Sequence, residues 1–182
     1  ANSAVSQPVN DEDRLFVYFD GTFFDHTLKI ADAQSIASTA VSVAGRKILA
    51  IHPELSIQEA IDASSNGDEI IVHPGTYTNI GSWVFNPNGK AIWIHSSAGA
   101  NSTIVNGEGA RKGAQISDGE TNTTIIEGFT FTNCIVGMYC NYSASPIIRG
   151  CTFSGNTNPG SSGAGIYTYG SPTIEDCYFV GN

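Results

Sequence analysis

The chain has 182 residues, a net charge of −9 and only eight Lys and Arg, a balance that argues against nucleic-acid binding and against attraction to anionic membranes. Charged residues make up 14% of the chain against an average of about 25%, and Gly, Asn, Ser and Thr take their place, which suits β structure with many tight turns. The sequence has no apolar run long enough to span a bilayer, so no membrane-crossing helix is expected.

Residues 1–45 carry no repeat and form a segment of unassigned role, a cap or the end of a preceding domain. Leu15 to Phe24 is aromatic and strand-like with a turn at Asp20-Gly21, and Asp32 to Ala44, rich in Ala, Ser and Val, reads as a weak helix. The signal sharpens from Ile48. Ser56-Ile57-Gln58-Glu59 is a capping box, in which the serine hydroxyl accepts from an orphan amide while the glutamate reaches back. It opens a helix over 56–66 with Ile57, Ala60 and Ile61 on one face, ended by Asn66-Gly67. A strand follows at Glu69–His73, then a turn at Pro74-Gly75-Thr76-Tyr77 that aims the tyrosine inward. Ile70 and Val72 find their matches one repeat later in Ile92 and Ile94.

Further along, SPIIRGCTFSGN (145–156) and SPTIEDCYFVGN (171–182) agree at seven positions with a period of 26, and TNTTIIEGFTFTNC (121–134) is a looser copy upstream of both. Aligned, the copies give apolar columns Ile126, Ile148, Ile174, then Phe129, Cys151, Cys177, then Phe131, Phe153, Phe179. Glu127, Arg149, Glu175 and Thr130, Thr152, Tyr178 alternate with them. Period-two alternation describes strands with one face inward. Identical columns demand the same strand direction in every unit, so the units stack as coils of short parallel strands. The expected fold is all-β, a parallel β-helix over 46–182 with a short N-terminal capping helix that shields the open edge of the first coil. The chain stops inside a repeat at Asn182, so further coils are expected beyond it.

The cysteines are Cys134, Cys140, Cys151 and Cys177. Cys151 and Cys177 share a column with Phe129 and read as small buried hydrophobes; a Cys134–Cys140 bridge stays open. Asn156 and Asn182 fall at turns, where their amides can bond backbone groups and run as a ladder from coil to coil.

Ser56 to Asp62, Gly67 to Val72 and Pro74 to Tyr77 resemble the opening of the right-handed β-helix proteins of the pectin-lyase-like superfamily, over residues 47–182. The resemblance implies the fold and leaves function open among lyases, glycosidases, esterases, epimerases and adhesins. The later repeats are similar to the polymorphic outer-membrane-protein repeat of bacterial surface proteins, which pairs F-x-x-N with G-G-A-[ILV]. Phe153-Ser154-Gly155-Asn156 and Phe179-Val180-Gly181-Asn182 match the first motif. Gly163-Ala164-Gly165-Ile166 approximates the second with two residues interchanged, and Phe131-Thr132-Asn133-Cys134 carries cysteine in the asparagine position.

Three sets of residues are candidates for chemistry. The column Glu127, Arg149, Glu175 places an arginine between two carboxylates. Some lyases of the resembled superfamily combine a carboxylate-bound calcium with an arginine base, so calcium is the one cofactor in view. The alternative is a solvated charge ladder. His73 and His95 each follow an apolar strand in the first repeats; stacked on successive coils they would share a metal or a proton, although no third ligand is evident. Trp93, sent outward by inward Ile92 and Ile94, and Trp83 are candidates for stacking on sugar rings, with Tyr139, Tyr142, Tyr167 and Tyr169 as further aromatics. The alternative places Trp93 under residues 1–45.

No nucleophile-elbow, phosphate-loop, zinc-protease or dinucleotide fingerprint occurs. The favoured reading is a secreted or cell-surface scaffold, bacterial and non-catalytic, that contacts polysaccharide or another cell. The alternative is a carbohydrate-active enzyme, a lyase or glycoside hydrolase.

Overall fold

The computed structural model describes residues 14–19, 22–27, 39–43, 46–160 and 163–182. The chain divides into two compact units, residues 1–37 and 38–182. In the first, β1 (Arg14–Phe19) and β2 (Thr22–Thr27) pair as an antiparallel hairpin; the expected Asp20-Gly21 turn lies outside the described residues. In the second, β3 (Thr39–Val43) runs antiparallel to β4 (Arg46–Ile51). The helix expected over 32–44 is therefore corrected across 39–43, while 32–38 and 44 lie outside the described residues. Thr39, Val41 and Val43 alternate with Ala40 and Ser42, and β-branched residues at every second position favour the pleat over the helix.

Helix α1 (Ile57–Ala63) starts as expected. Ser56 Oγ accepts from Gln58 N at 3.1 Å, and Glu59 accepts from Ser56 N at 3.4 Å. It ends earlier than expected, at Ala63, where the Ser64 hydroxyl donates to Ile61 O at 2.7 Å and the backbone turns extended. Gly67, at φ +90°, serves the turn into the next strand. Ile57, Ala60 and Ile61 are buried. Among the described residues, no helix is long and apolar enough to cross a membrane.

After α1 the chain winds through repeated triplets of strands. The first coil holds β5 (Glu69–Val72), β6 (Gly75–Tyr77) and β7 (Trp83–Phe85). The second holds β8 (Trp93–Ser96), β9 (Thr103–Asn106) and β10 (Lys112–Ile116). The third holds β11 (Ile125–Glu127), β12 (Thr130–Thr132) and β13 (Val136–Cys140). The fourth holds β14 (Ile147–Arg149), β15 (Thr152–Ser154) and β16 (Ile166–Thr168), and β17 (Thr173–Glu175) and β18 (Tyr178–Val180) open a fifth. Each strand pairs in parallel with its counterpart one coil away, giving three sheets: β4-β5-β8-β11-β14-β17 with β3 at its edge, β6-β9-β12-β15-β18, and β7-β10-β13-β16.

The expected turn at 74–77 is thus partly strand, since Gly75–Tyr77 pairs with Thr103–Val105. Its tyrosine does point inward: Tyr77 is buried, and its hydroxyl donates to His73 O at 2.7 Å and Ile51 O at 3.1 Å. The period also needs correction at the start of the solenoid. Ile70 pairs with Ile94, not Ile92, and the column continues through Ile126, Ile148 and Ile174 at uneven spacing, widest from Ile94 to Ile126 and narrowest from Ile126 to Ile148. Turns between strands absorb the difference, because only the short strands have to match.

The core is the stack of inward columns. Ile126 and Ile148 are fully buried, as are Phe129, Phe131 and Phe153, with Cys151 at 1% exposure. Phe131, Phe153 and Phe179 stack face to face with centroids 5.0 Å apart at each step, set by the ~4.8 Å strand spacing. Ile174 and Phe179, on the fifth coil, keep their columns but stay 45% and 47% exposed. Asn156 is buried; its Oδ1 accepts from Cys134 N at 3.0 Å, and its Nδ2 donates to Phe131 O at 3.0 Å and Asn182 Oδ1 at 2.7 Å. Asn182 Nδ2 donates in turn to Phe153 O at 2.8 Å, so the amide ladder is present.

Helix α1 shields one open edge. The Gln58 amide donates to Asn86 O at 3.2 Å and accepts from Asn86 N at 2.7 Å, taking the place of a neighbouring strand beside the end of β7. An unpaired strand edge would otherwise present these groups to solvent or to another chain.

Candidate functional site

Outward residues of the first sheet form two columns. Glu69, Trp93, Ile125, Ile147 and Thr173 make one, and Ile71, His95, Glu127, Arg149 and Glu175 the other. Arg149 Nη2 donates to Glu127 Oε2 at 2.8 Å, and Trp93 Nε1 donates to the same oxygen at 2.9 Å. Burial would raise the Glu127 carboxyl, but the hydrogen bonds from Arg149 and Trp93 and the arginine charge outweigh it and hold the group below its ordinary value. The Glu127 bond raises Arg149 further above its already high value. Neither group is poised near neutrality for proton transfer, which is what acid–base chemistry requires.

The sequence-derived triplet Glu127, Arg149, Glu175 is therefore brought together in one outward column, with Arg149 ion-paired to Glu127. A groove of about 320 Å³ runs alongside, lined by Arg46, Trp93, Thr123, Ile125 and Arg149. The indole is not a free platform. One face packs on the His95 ring at a centroid distance of 4.1 Å, and Trp93 is half-buried. Trp83 stands on β7, in the third sheet, so the two tryptophans do not share a face.

His73 and His95 do not stack. His95, outward on β8, pairs in register with Ile71 and puts Nε2 2.8 Å from Glu69 Oε1, while Glu69 also holds Arg46. His73 follows β5, and its partner is His52, with rings 4.3 Å apart and 9° from parallel. Burial, and then the charge of His52, lower the His73 pKa. A sequence signal for this pair existed: Ile51-His52-Pro53 and Val72-His73-Pro74 repeat the same tripeptide shape one coil apart. Among the described residues, no group of three His, Cys, Asp or Glu converges to hold a metal ion.

Among the described residues, four tyrosines gather on and beside the third sheet. Tyr139 on β13 and Tyr167 on β16 are register neighbours, with ring centroids 5.7 Å apart. Tyr142 and Tyr169, just past the ends of those strands, stack at 4.6 Å and 19°. Tyr167 meets Tyr169 edge-on at 5.1 Å, and their hydroxyls hydrogen-bond. Lys112 from β10 lies 5.0 Å from the Tyr139 ring centroid, a cation–π contact. Tyr142 is 76% exposed and Tyr169 46%. Four rings and an ammonium thus line adjacent coils on one side of the solenoid. Sequence alone named these tyrosines as candidates; it did not show that they converge.

Three sheets wound as stacked coils of parallel strands define a parallel β-solenoid. Residues 55–182 match the right-handed β-helix region family, and the chain belongs to it. No curated protein and no solved structure matches the chain.

Proposed function

We propose that this β-helix is an extracellular or cell-surface scaffold of bacterial origin that contacts polysaccharide, directly or on another cell, without cleaving it. The observation that carries the reading is the tyrosine cluster of Tyr139, Tyr142, Tyr167 and Tyr169. Mutually braced phenol rings, with Tyr142 and Tyr169 exposed and Tyr139 and Tyr167 half-buried, offer apolar faces to the C–H faces of sugars and hydroxyls to their oxygens, at little entropy cost on binding. Supporting it, Glu127 is ion-paired with Arg149 and its carboxyl is held below the ordinary value. Its guanidinium also stands between the two carboxylates, where a hydrolase would need room for water and the scissile bond.

The test is affinity electrophoresis in gels containing a panel of neutral and acidic polysaccharides. The parent protein is retarded by at least one. Replacing both Tyr142 and Tyr169 with Ala weakens that retardation by about fivefold or more, as expected for two stacking contacts of ~0.5–1.5 kcal/mol each, and leaves the thermal melt unchanged. A panel with no retarded member overturns the reading.

A further inference from the structure

Cys151 and Cys177 occupy equivalent positions on consecutive coils. The neighbouring register pairs Arg149↔Glu175 and Thr152↔Tyr178 bracket them, and Tyr178 N donates to Cys151 O at 2.9 Å. Parallel neighbours lie ~4.8 Å apart, inside the ~4.4–6.8 Å Cα window that a disulfide spans. Both side chains point inward: Cys151 is 1% exposed and Cys177 packs on the core. Their thiols donate to matching acceptors one coil back, Cys151 to Ile126 O at 3.8 Å and Cys177 to Ile148 O at 3.6 Å. Both are free thiols in this structure.

We infer that Cys151 and Cys177 are a built-in site of oxidative modification, closing to a disulfide that staples the fourth coil to the fifth. The chemistry is thiol–disulfide exchange with a small disulfide such as oxidised glutathione. The Cys177 thiolate attacks one sulfur of the oxidant, forming a mixed disulfide and expelling one thiolate. Cys151 then loses its proton and attacks the Cys177 sulfur, expelling the second thiolate. The protein loses two protons and two electrons, and the oxidant becomes two thiols.

The division of roles follows from the environment. The neighbouring Cys151 thiol, whose effect outweighs that of burial, brings Cys177 down to about 7. The same contact and burial push Cys151 well up. Burial pushes Cys134 and Cys140 up to about 12, so they are internal controls with little thiolate at neutral pH. Cys134 donates its thiol to Thr132 O at 3.2 Å, and the bridge to Cys140 left open by the sequence is not formed.

The experiment unfolds and refolds the full chain in a glutathione redox buffer, blocks remaining thiols by alkylation, and maps peptides without reduction. The expected product lacks two hydrogens, links the Cys151 and Cys177 peptides, carries alkyl groups on Cys134 and Cys140, and unfolds at higher denaturant than the reduced protein. With Cys151→Ser, the glutathione adduct at Cys177 persists instead of resolving. Four alkylated thiols, a link through Cys134 or Cys140, or a lasting adduct on Cys177 in the parent chain would overturn the inference.

Discussion

Phe153 packs its ring edge against Gly137 so closely that a Cβ on Gly137 would lie 2.7 Å from Phe153 Cδ1 and 2.5 Å from Gly165 O. The relation repeats one coil to each side, where Phe131 abuts Gly113 at 2.6 Å and Phe179 abuts Gly165 at 3.0 Å on the same measure. Asn156 Nδ2 would lie 3.3 Å from that Cβ on Gly137, and Asn182 Nδ2 3.4 Å from one on Gly165. The F-x-x-N motif on the second sheet and the glycine motif on the third are therefore one packing device. Each phenylalanine needs a residue without a side chain beside it on the third sheet.

Gly137→Ala should destabilise the protein by about 1–3 kcal/mol or more, as overpacking of a closed core does. Because a backbone carbonyl as well as a ring stands in the way, trimming Phe153 to Leu in the same chain should recover only part of the loss. Urea midpoints for the parent, the single and the double variants check this.

The stacked imidazoles of His52 and His73 should make stability fall on mild acidification. The folded-state pKa of His73 is lowered, so the unfolded chain takes up the proton first. The contribution is whole above the unfolded value of about 6.5 and declines as pH drops from there toward the folded value. Denaturant midpoints at pH ~7.5 and ~5.5 measure the loss, and His73→Gln should make it smaller. Equal losses in the parent and the variant would show that His73 is not responsible.

Glu127 behaves with the opposite chemistry and the same direction in pH. Its lowered pKa means the pairing with Arg149 and Trp93 persists at neutrality and is lost only as pH falls below the ordinary 4.5. In a background carrying Trp83→Phe and His95→Gln, which removes the imidazole stacked on the indole, Trp93 emission should hold steady through mild acid and change with a midpoint below that value. Glu127→Gln should abolish the transition.

Much of the fold was legible because the forces that make it act at fixed spacing. Ile126, Ile148 and Ile174, and the three phenylalanines, sit on strands whose length leaves no freedom of register, so their periodicity survives in sequence. The first coils were harder. Ile92 and Ile94 are both buried, and nothing local says which of them faces Ile70; the longer turns decide it. The same ambiguity misplaced His73 against His95, while the repeated His-Pro step at His52 and His73 held the answer. The Glu127–Arg149 pair could be read directly, because a column of equivalent outward positions is a contact. The tyrosine cluster could not, since Tyr142 and Tyr169 lie just outside their strands, where the chain direction depends on turns without a period.

The account turns most directly on whether polysaccharide is held and left intact. A single incubation can follow both, by co-sedimentation of protein with an insoluble or cross-linked glycan and by the appearance of new reducing ends or unsaturated uronate in the supernatant. The account predicts retention that depends on Tyr142 and Tyr169, with no released product from the parent or from Arg149→Ala. Product released by the parent and lost in Arg149→Ala would contradict it.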